Sequence, residues 1–260
     1  GADCLRNLRI LGVDRLSIGV QSFDDGMLRW MNRRHDAAGA EKAFTLAREA
    51  GFDNISIDLI FGLSNLPDEI WAATVEKAVE LRPEHISCYQ LTVEGESALA
   101  AMVADGRYRE ADEEQCHRQY DILCEKLRKA GYHHYEISNF AQPGYEARHN
   151  SGYWRREAYI GLGPAAHSFR GNTRYWNSNS LSGYTVSEER LSDDAVRIET
   201  IMLSLRTAEG INRDWLEAHC EAATVASLLE KGALALSEQG RIRIPEDRFF
   251  VSDEIIRELI

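Results

Sequence analysis

The sequence predicts an α/β fold: a parallel sheet with crossing helices, then an α+β region that ends in a winged-helix-like module. Three observations predict it. Short apolar runs alternate with helical patterns through the first half, a glycine- and aromatic-rich stretch interrupts that rhythm, and the tail carries three helical patterns and a hairpin. The chain has 260 residues, enough for one large domain or two smaller ones.

The first strand is the apolar run 15–20, followed directly by Gln21. Residues 36–50 carry Ala43, Phe44, Leu46 and Ala47 at helical spacing and stop at Gly51. The run 54–61 is a second strand, and 68–81 is a helix with Trp71, Val75, Ala78 and Val79 on one face. Pro83 ends that helix, and 85–91 is a third strand. Strand, helix, strand, helix, strand at this spacing predicts βαβ units in a parallel sheet. A longer helix spans 111–130 with Tyr120, Leu123 and Leu127 inward, and 132–137 reads as another strand. From 138 to 187 helical periodicity is missing and the segment reads as a long aromatic loop. Helices follow at 195–205, from Asn212 to His219 and at 223–231, then a hairpin around the Glu238-Gln239-Gly240 turn. Ser252 is the expected N-cap of a last helix. The reading gives three segments: 1–137, 138–192 and 193–260.

Composition narrows the function classes. Acidic residues outnumber basic ones 42 to 30, for a net charge of −12, which repels phosphate backbones and anionic membranes. The winged-helix-like tail shares that sign through Glu209, Asp214, Glu217, Glu221, Glu230 and Glu238, so it reads as a packing module and not as a nucleic-acid reader. No run resembles a membrane span or a signal peptide, and the expectation is a soluble cytoplasmic protein. The five cysteines (Cys4, Cys88, Cys116, Cys124 and Cys220) are scattered, and the nearest two are eight residues apart. They read as reduced core thiols without metal-ligand spacing.

Ligands bind parallel sheets at the carboxyl ends of the strands, so polar residues there are the candidates. Gln21 follows the first strand and Thr92 the third, while Asp58 lies inside the second among Ile57, Leu59 and Ile60. A carboxylate in such a run must be paired or must accept ligand hydroxyls. Asp58 therefore suggests a ribose diol, with a structural salt bridge as the alternative. Arg29, Arg33, Arg34 and His35 form a basic cluster in which a guanidinium could grip a carboxylate, or which could be a solvated helix face. His149, in His149-Asn150-Ser151-Gly152-Tyr153-Trp154, is a loop histidine beside aromatics, as an axial iron ligand over a flat macrocycle would be. A histidine packed among aromatics and bonded to backbone explains it equally well. The small-residue run Gly161 to Phe169 lets backbone approach closely but lacks the setting of a dinucleotide fingerprint.

Taken together, several of these segments resemble one family. Gly12-Val13-Asp14-Arg15-Leu16-Ser17-Ile18-Gly19-Val20-Gln21-Ser22-Phe23, Asn32-Arg33, Ile57-Asp58-Leu59-Ile60-Phe61-Gly62-Leu63 and the His149–Trp154 motif are similar to radical-SAM proteins related to oxygen-independent coproporphyrinogen III oxidase. Tyr135-Glu136-Ile137-Ser138-Asn139-Phe140-Ala141 and Arg174-Tyr175-Trp176-Asn177 extend the resemblance over nearly the whole chain, and the histidine motif favours the haem chaperone branch. The resemblance implies an incomplete parallel β/α barrel that binds S-adenosylmethionine and a [4Fe–4S] cluster. It implies that Gln21, Arg33 and Asp58 hold S-adenosylmethionine, Asp58 by the ribose hydroxyls and Arg33 by the methionine carboxylate. Thr92 would touch the same cofactor through backbone, and His149 would ligate haem iron.

One departure stands out. The family's Cys-x3-Cys-x2-Cys loop and its glycine-rich segment are not in this sequence, so the chain supplies no cluster ligands. Both are expected upstream of Gly1, in roughly three βα units. The implied function is haem binding and delivery to haem-requiring acceptor proteins. The alternative is oxidative decarboxylation of coproporphyrinogen III, and a third reading is a folded scaffold without activity of its own. The strand near Arg15 would be an open sheet edge, which allows pairing with a second copy.

Overall fold

Four of the six helices of the first half begin on oxygen-bearing side chains, which supply acceptors for otherwise unpaired backbone N–H groups. Asp24 accepts from Met27 at the start of α2 (Asp25–Trp30), and Asp36 from Gly39 at the start of α3 (Ala37–Glu49). Ser97 and Asp112 do the same for α5 (Ala98–Ala104) and α6 (Glu113–Lys129). Two further helices, α1 (Ala2–Ile10) and α4 (Asp68–Leu81), start without such a cap. The structure, a computed structural model, describes residues 1–260 in two compact units, Gly1–Glu146 and Ala147–Ile260. The sequence reading has three segments; here 147–192 groups with the tail, because its strands and helix form part of the second unit.

In the first unit, five strands form one sheet in the order β1 (Leu16–Gln21), β2 (Ile55–Phe61), β3 (His85–Gln90), β5 (Asn139–Ala141), β4 (His133–Glu136). β1, β2 and β3 are parallel, as the alternating pattern requires. The sheet is not parallel throughout. β5, which the sequence reading leaves in loop, turns back from β4 and runs antiparallel between β3 and β4. Three residues carry too little periodicity to mark a strand, and only pairing on both sides holds β5 in place. β1 and β4 are the two edges of the sheet.

β2 is sandwiched between neighbours, and Ile55, Ile57 and Leu59 are fully buried together with Phe44, Ala47, Trp71 and Val75. Each isoleucine, leucine, valine or phenylalanine among them contributes about 1.5–3 kcal/mol by leaving water. The loop beyond β2 is fixed by Gln119 of α6, which is wholly buried. Its Oε1 accepts from Gly62 N–H at 2.9 Å, and its Nε2 donates to Leu66 O at 2.9 Å. Gly62 has φ +75°, and a Cβ there would stand 2.9 Å from Gln90 Cγ, so glycine is required for the turn.

The second unit opens with α7 (Arg148–Trp154), and an antiparallel sheet of β6 (His167–Arg170), β7 (Thr173–Asn177) and β8 (Val186–Arg190) follows. Residues 138–187 are thus not one long loop, because cross-strand pairing supplies an order that local periodicity does not reveal. The tail then runs α8 (Asp193–Leu205), β9 (Ile211–Asn212), α9 (Arg213–His219), α10 (Ala222–Glu230), β10 (Ala235–Leu236) and β11 (Arg241–Arg243). The hairpin is joined by β9 in the order β10, β11, β9, the topology of a winged-helix-like module. A 3₁₀ turn (Glu246–Val251) runs straight into α11 (Ser252–Leu259). Ser252 therefore does not cap: the chain is already helical before it, and its buried Oγ has no hydrogen-bond partner. No helix is long and apolar enough to cross a membrane.

The β4–β5 hairpin buries a carboxylate. Glu136 has no exposed surface, accepts from Ser138 N–H at 3.2 Å and from the Asn139 amide, and is pushed by burial from the usual 4.5 up to about 7. A group whose pKa rises on folding contributes stability at low pH and loses it as pH climbs through the folded value. His85 and His134 act oppositely: burial pushes them down to about 3 and about 4, and they cost stability as pH falls below the ordinary histidine value. The Glu136→Gln variant should therefore gain on the parent by about 3 kcal/mol between pH 4.5 and pH 7.5. Urea unfolding at several pH values measures this, and a stability difference that does not change with pH would contradict it.

Candidate functional site

Strand alternation assembles the site. Ser17 and Gly19 on β1, Ser56, Asp58 and Ile60 on β2, and His85, Ser87 and Tyr89 on β3 share one face by register, opposite the apolar core. Asp58 is half-buried in the middle of this polar face. Ser17 Oγ lies 3.0 and 3.3 Å from its two oxygens and donates to the carboxylate. Burial raises the Asp58 pKa above the usual carboxylate range, opposed by hydrogen bonds from Ser17 and Ser87 and by the positive charge of Arg15. No cation stands within ion-pair distance, so the salt-bridge alternative for Asp58 does not hold.

Gln21 ends β1 with φ +70°, after a register shift between Gly19 and Gln21. Its amide folds back over the strand: a Cβ at Gly19 would lie 2.8 Å from Gln21 Nε2. Since Gly19 is paired with Asp58, the amide and the carboxylate occupy the same face. Arg33 lies in the turn after α2, where its N–H donates to Leu28 O at 2.9 Å and Asn32 takes a positive φ. That turn is tied to the end of β1, because His35 Nε2 is 3.0 Å from Val20 O. The Arg33 side chain is exposed and makes no bond in the structure, and Arg29 and Arg34 are also exposed. Thr92 is exposed two residues past β3, where Leu91 N–H still donates to Phe61 O at 2.8 Å. Gln21, the Arg33 turn and Thr92 thus lie at the carboxyl ends of β1 and β3, with Asp58 on the face between those strands.

Deeper on the same face is a buried chain of contacts absent from the sequence reading. Ser56 Oγ is 2.8 Å from His85 Nδ1, and His85 Nε2 is 2.8 Å from the Tyr135 hydroxyl. The available signal was shared alternation: positions 56 and 58, and 85, 87 and 89, are hydrophilic or aromatic at period two inside otherwise apolar runs.

In the second unit, the His149 motif forms α7 and is not a loop. His149 is exposed, and its Nε2 is 2.8 Å from the Tyr153 hydroxyl one turn on. The two rings meet edge-to-face at 4.7 Å, and Tyr153 meets Tyr159 in the same way at 4.7 Å. Tyr159 and Phe169 exchange backbone hydrogen bonds of 2.9 and 3.0 Å, which fixes this aromatic row to β6. A Cβ at Gly161 would lie 2.1 Å from His167 O, so the small-residue run does allow a close backbone approach, within the chain itself.

Residues 2–78 match the Radical SAM superfamily model. The heme chaperone HemW of Mycobacterium tuberculosis is 33% identical over 267 residues, covering 97% of this chain and 67% of the relative. The chain belongs to the HemW family of radical SAM proteins. HemW of Bacillus subtilis is 39% identical over 183 residues, covering 70% of this chain and 48% of that one. The chain thus spans between about half and two thirds of these HemW proteins. A zebrafish relative, the mitochondrial radical S-adenosyl methionine domain-containing protein 1, is 30% identical across 94% of the chain and 59% of its own length. Among solved structures, coproporphyrinogen III oxidase (HemN) from Escherichia coli superposes with a TM-score of 0.77 over 99% of this chain and 66% of that one. At 21% identity that likeness establishes the HemN-like radical SAM fold, a mixed α/β architecture with a parallel sheet.

The serine support of Asp58 can be checked directly. Ser17→Ala removes a hydrogen bond that favours the charged form, so the Asp58 pKa should rise further. Carboxyl NMR titration reads the shift, and an unchanged or lower value would refute the assignment.

Proposed function

We propose that this chain carries the S-adenosylmethionine-gripping rim and the haem-ligand helix of a radical-SAM haem chaperone. The observation that carries the first part is Asp58, a half-buried carboxylate supported by serine hydroxyls with no cation at ion-pair distance. Such a group is poised to accept two hydroxyl donors at once, as a ribose diol offers. The Gln21 amide over Gly19 adds a donor and an acceptor beside it. Arg33, exposed and unpaired, is the anion grip for an amino-acid carboxylate. Thr92 offers backbone polar groups past β3. In this superfamily S-adenosylmethionine, bound beside a reduced [4Fe–4S] cluster, supplies radical chemistry.

The residues present do not fit the cluster itself. Cys4 is exposed, Cys88 and Cys116 are buried, and no three metal-ligating side chains converge. For haem, which is cargo, the support is His149: an exposed imidazole on a short helix with a tyrosine row behind it. Relatives named heme chaperone give this reading its weight over porphyrinogen oxidation. The receiving proteins would be haem-requiring acceptors.

Two outcomes are expected. Asp58→Ala should weaken S-adenosylmethionine binding by calorimetry about 10- to 100-fold, as loss of a charged hydrogen-bonding group does; unchanged affinity would sink the diol assignment. His149→Ala should lose the Soret shift that haem titration of the parent is expected to give, and an identical spectrum and affinity would remove His149 as ligand.

A further inference from the structure

We propose that Tyr153 is a latch on His149, holding its Nε2 while haem is absent and releasing it when iron binds. The inference rests on the haem reading of His149 and deepens it.

The geometry is local and complete. The Tyr153 hydroxyl stands 2.8 Å from His149 Nε2, at ordinary hydrogen-bond distance, and no other contact engages the imidazole nitrogens. Nε2 is the nitrogen at the ring's tip. Nδ1 adjoins Cβ, so a flat macrocycle approaching it would meet the side-chain stem and the helix. Nε2 is therefore the open route to iron, and it is the nitrogen that Tyr153 occupies. Either polarity of the bond blocks it. As acceptor, Nε2 has its lone pair on the tyrosine proton; as donor, it carries the ring proton and leaves the lone pair on Nδ1. Ligation at Nε2 then requires the hydroxyl to swing away and, in the second case, the ring proton to move to Nδ1.

Tyr153 is placed for such a switch. It is 40% exposed, so its hydroxyl can exchange His149 for water. Its ring is held edge-to-face against Tyr159, independently of the hydroxyl. Removing the oxygen alone should leave the ring in position, which makes Tyr153→Phe a clean variant. The latch gives a carrier two properties: an imidazole protected from stray metal ions when empty, and a nearby group that competes with iron when haem must leave.

The test is stopped-flow and equilibrium titration of the full chain with ferric haem, for the parent, Tyr153→Phe, His149→Ala and the double variant. Loss of one neutral hydrogen bond should raise the association rate and tighten binding about two- to tenfold, with the Soret maximum unchanged. The gain should vanish when His149 is also alanine. Nitrogen NMR of the His149 ring, without haem, should show a changed tautomer population in Tyr153→Phe. Equal or weaker binding by Tyr153→Phe, while His149→Ala remains deficient, overturns the latch and leaves His149 as ligand. Parent-like binding by His149→Ala overturns both.

Discussion

A carboxylate on a sheet face, held by hydroxyls and by no contacting cation, constrains everything around it. Asp58 keeps its place in β2 because hydroxyls on both flanking strands point at it, Ser17 from β1 and Ser87 from β3. That arrangement works only if all three strands are parallel and in register, since a one-residue slip would turn either serine to the opposite face. The apolar side of β2, with Ile55, Ile57 and Leu59 fully buried, is what fixes the register. The core and the polar face are therefore one design: burial on one side sets the alignment that the carboxylate needs on the other.

The lower part of the same face is rigid for a different reason. Ser56, His85 and Tyr135 are buried and linked by two 2.8 Å contacts. Burial holds His85 neutral, so this chain of contacts keeps its hydrogen bonds across the physiological range. The upper rim, by contrast, ends in exposed groups, Arg33 and Thr92. The face thus has a buried floor and an exposed rim.

The second unit solves a separate problem. His149 is exposed on a helix of only seven residues, too short to be stable by its own hydrogen bonds. Its neighbours supply the order: Tyr153 and Tyr159 form an edge-to-face row that continues into the backbone pairing with Phe169. An imidazole held this way is oriented without being buried.

The sequence by itself determined the alternation of strands and helices through the first three strands, the helices after them, and the placing of Gln21 and Thr92 past strand ends and of Asp58 within its strand, because these depend on local periodicity; the helices Asp25–Trp30 and Ala98–Ala104 are too short to show it. Only tertiary structure decided the rest. The three residues of β5 become a strand through pairing on both sides, and the hairpin they complete is what buries Glu136 and raises its pKa. Ser252 has the local chemistry of a cap, yet the 3₁₀ turn before it already occupies the helix start. The serine support of Asp58, the fold-back of Gln21 over Gly19, and the Ser56–His85–Tyr135 chain join residues distant in sequence or depend on a register set elsewhere. Local pattern sets which way a side chain faces along its own strand, but its partner on the next strand is chosen by the burial of the whole sheet.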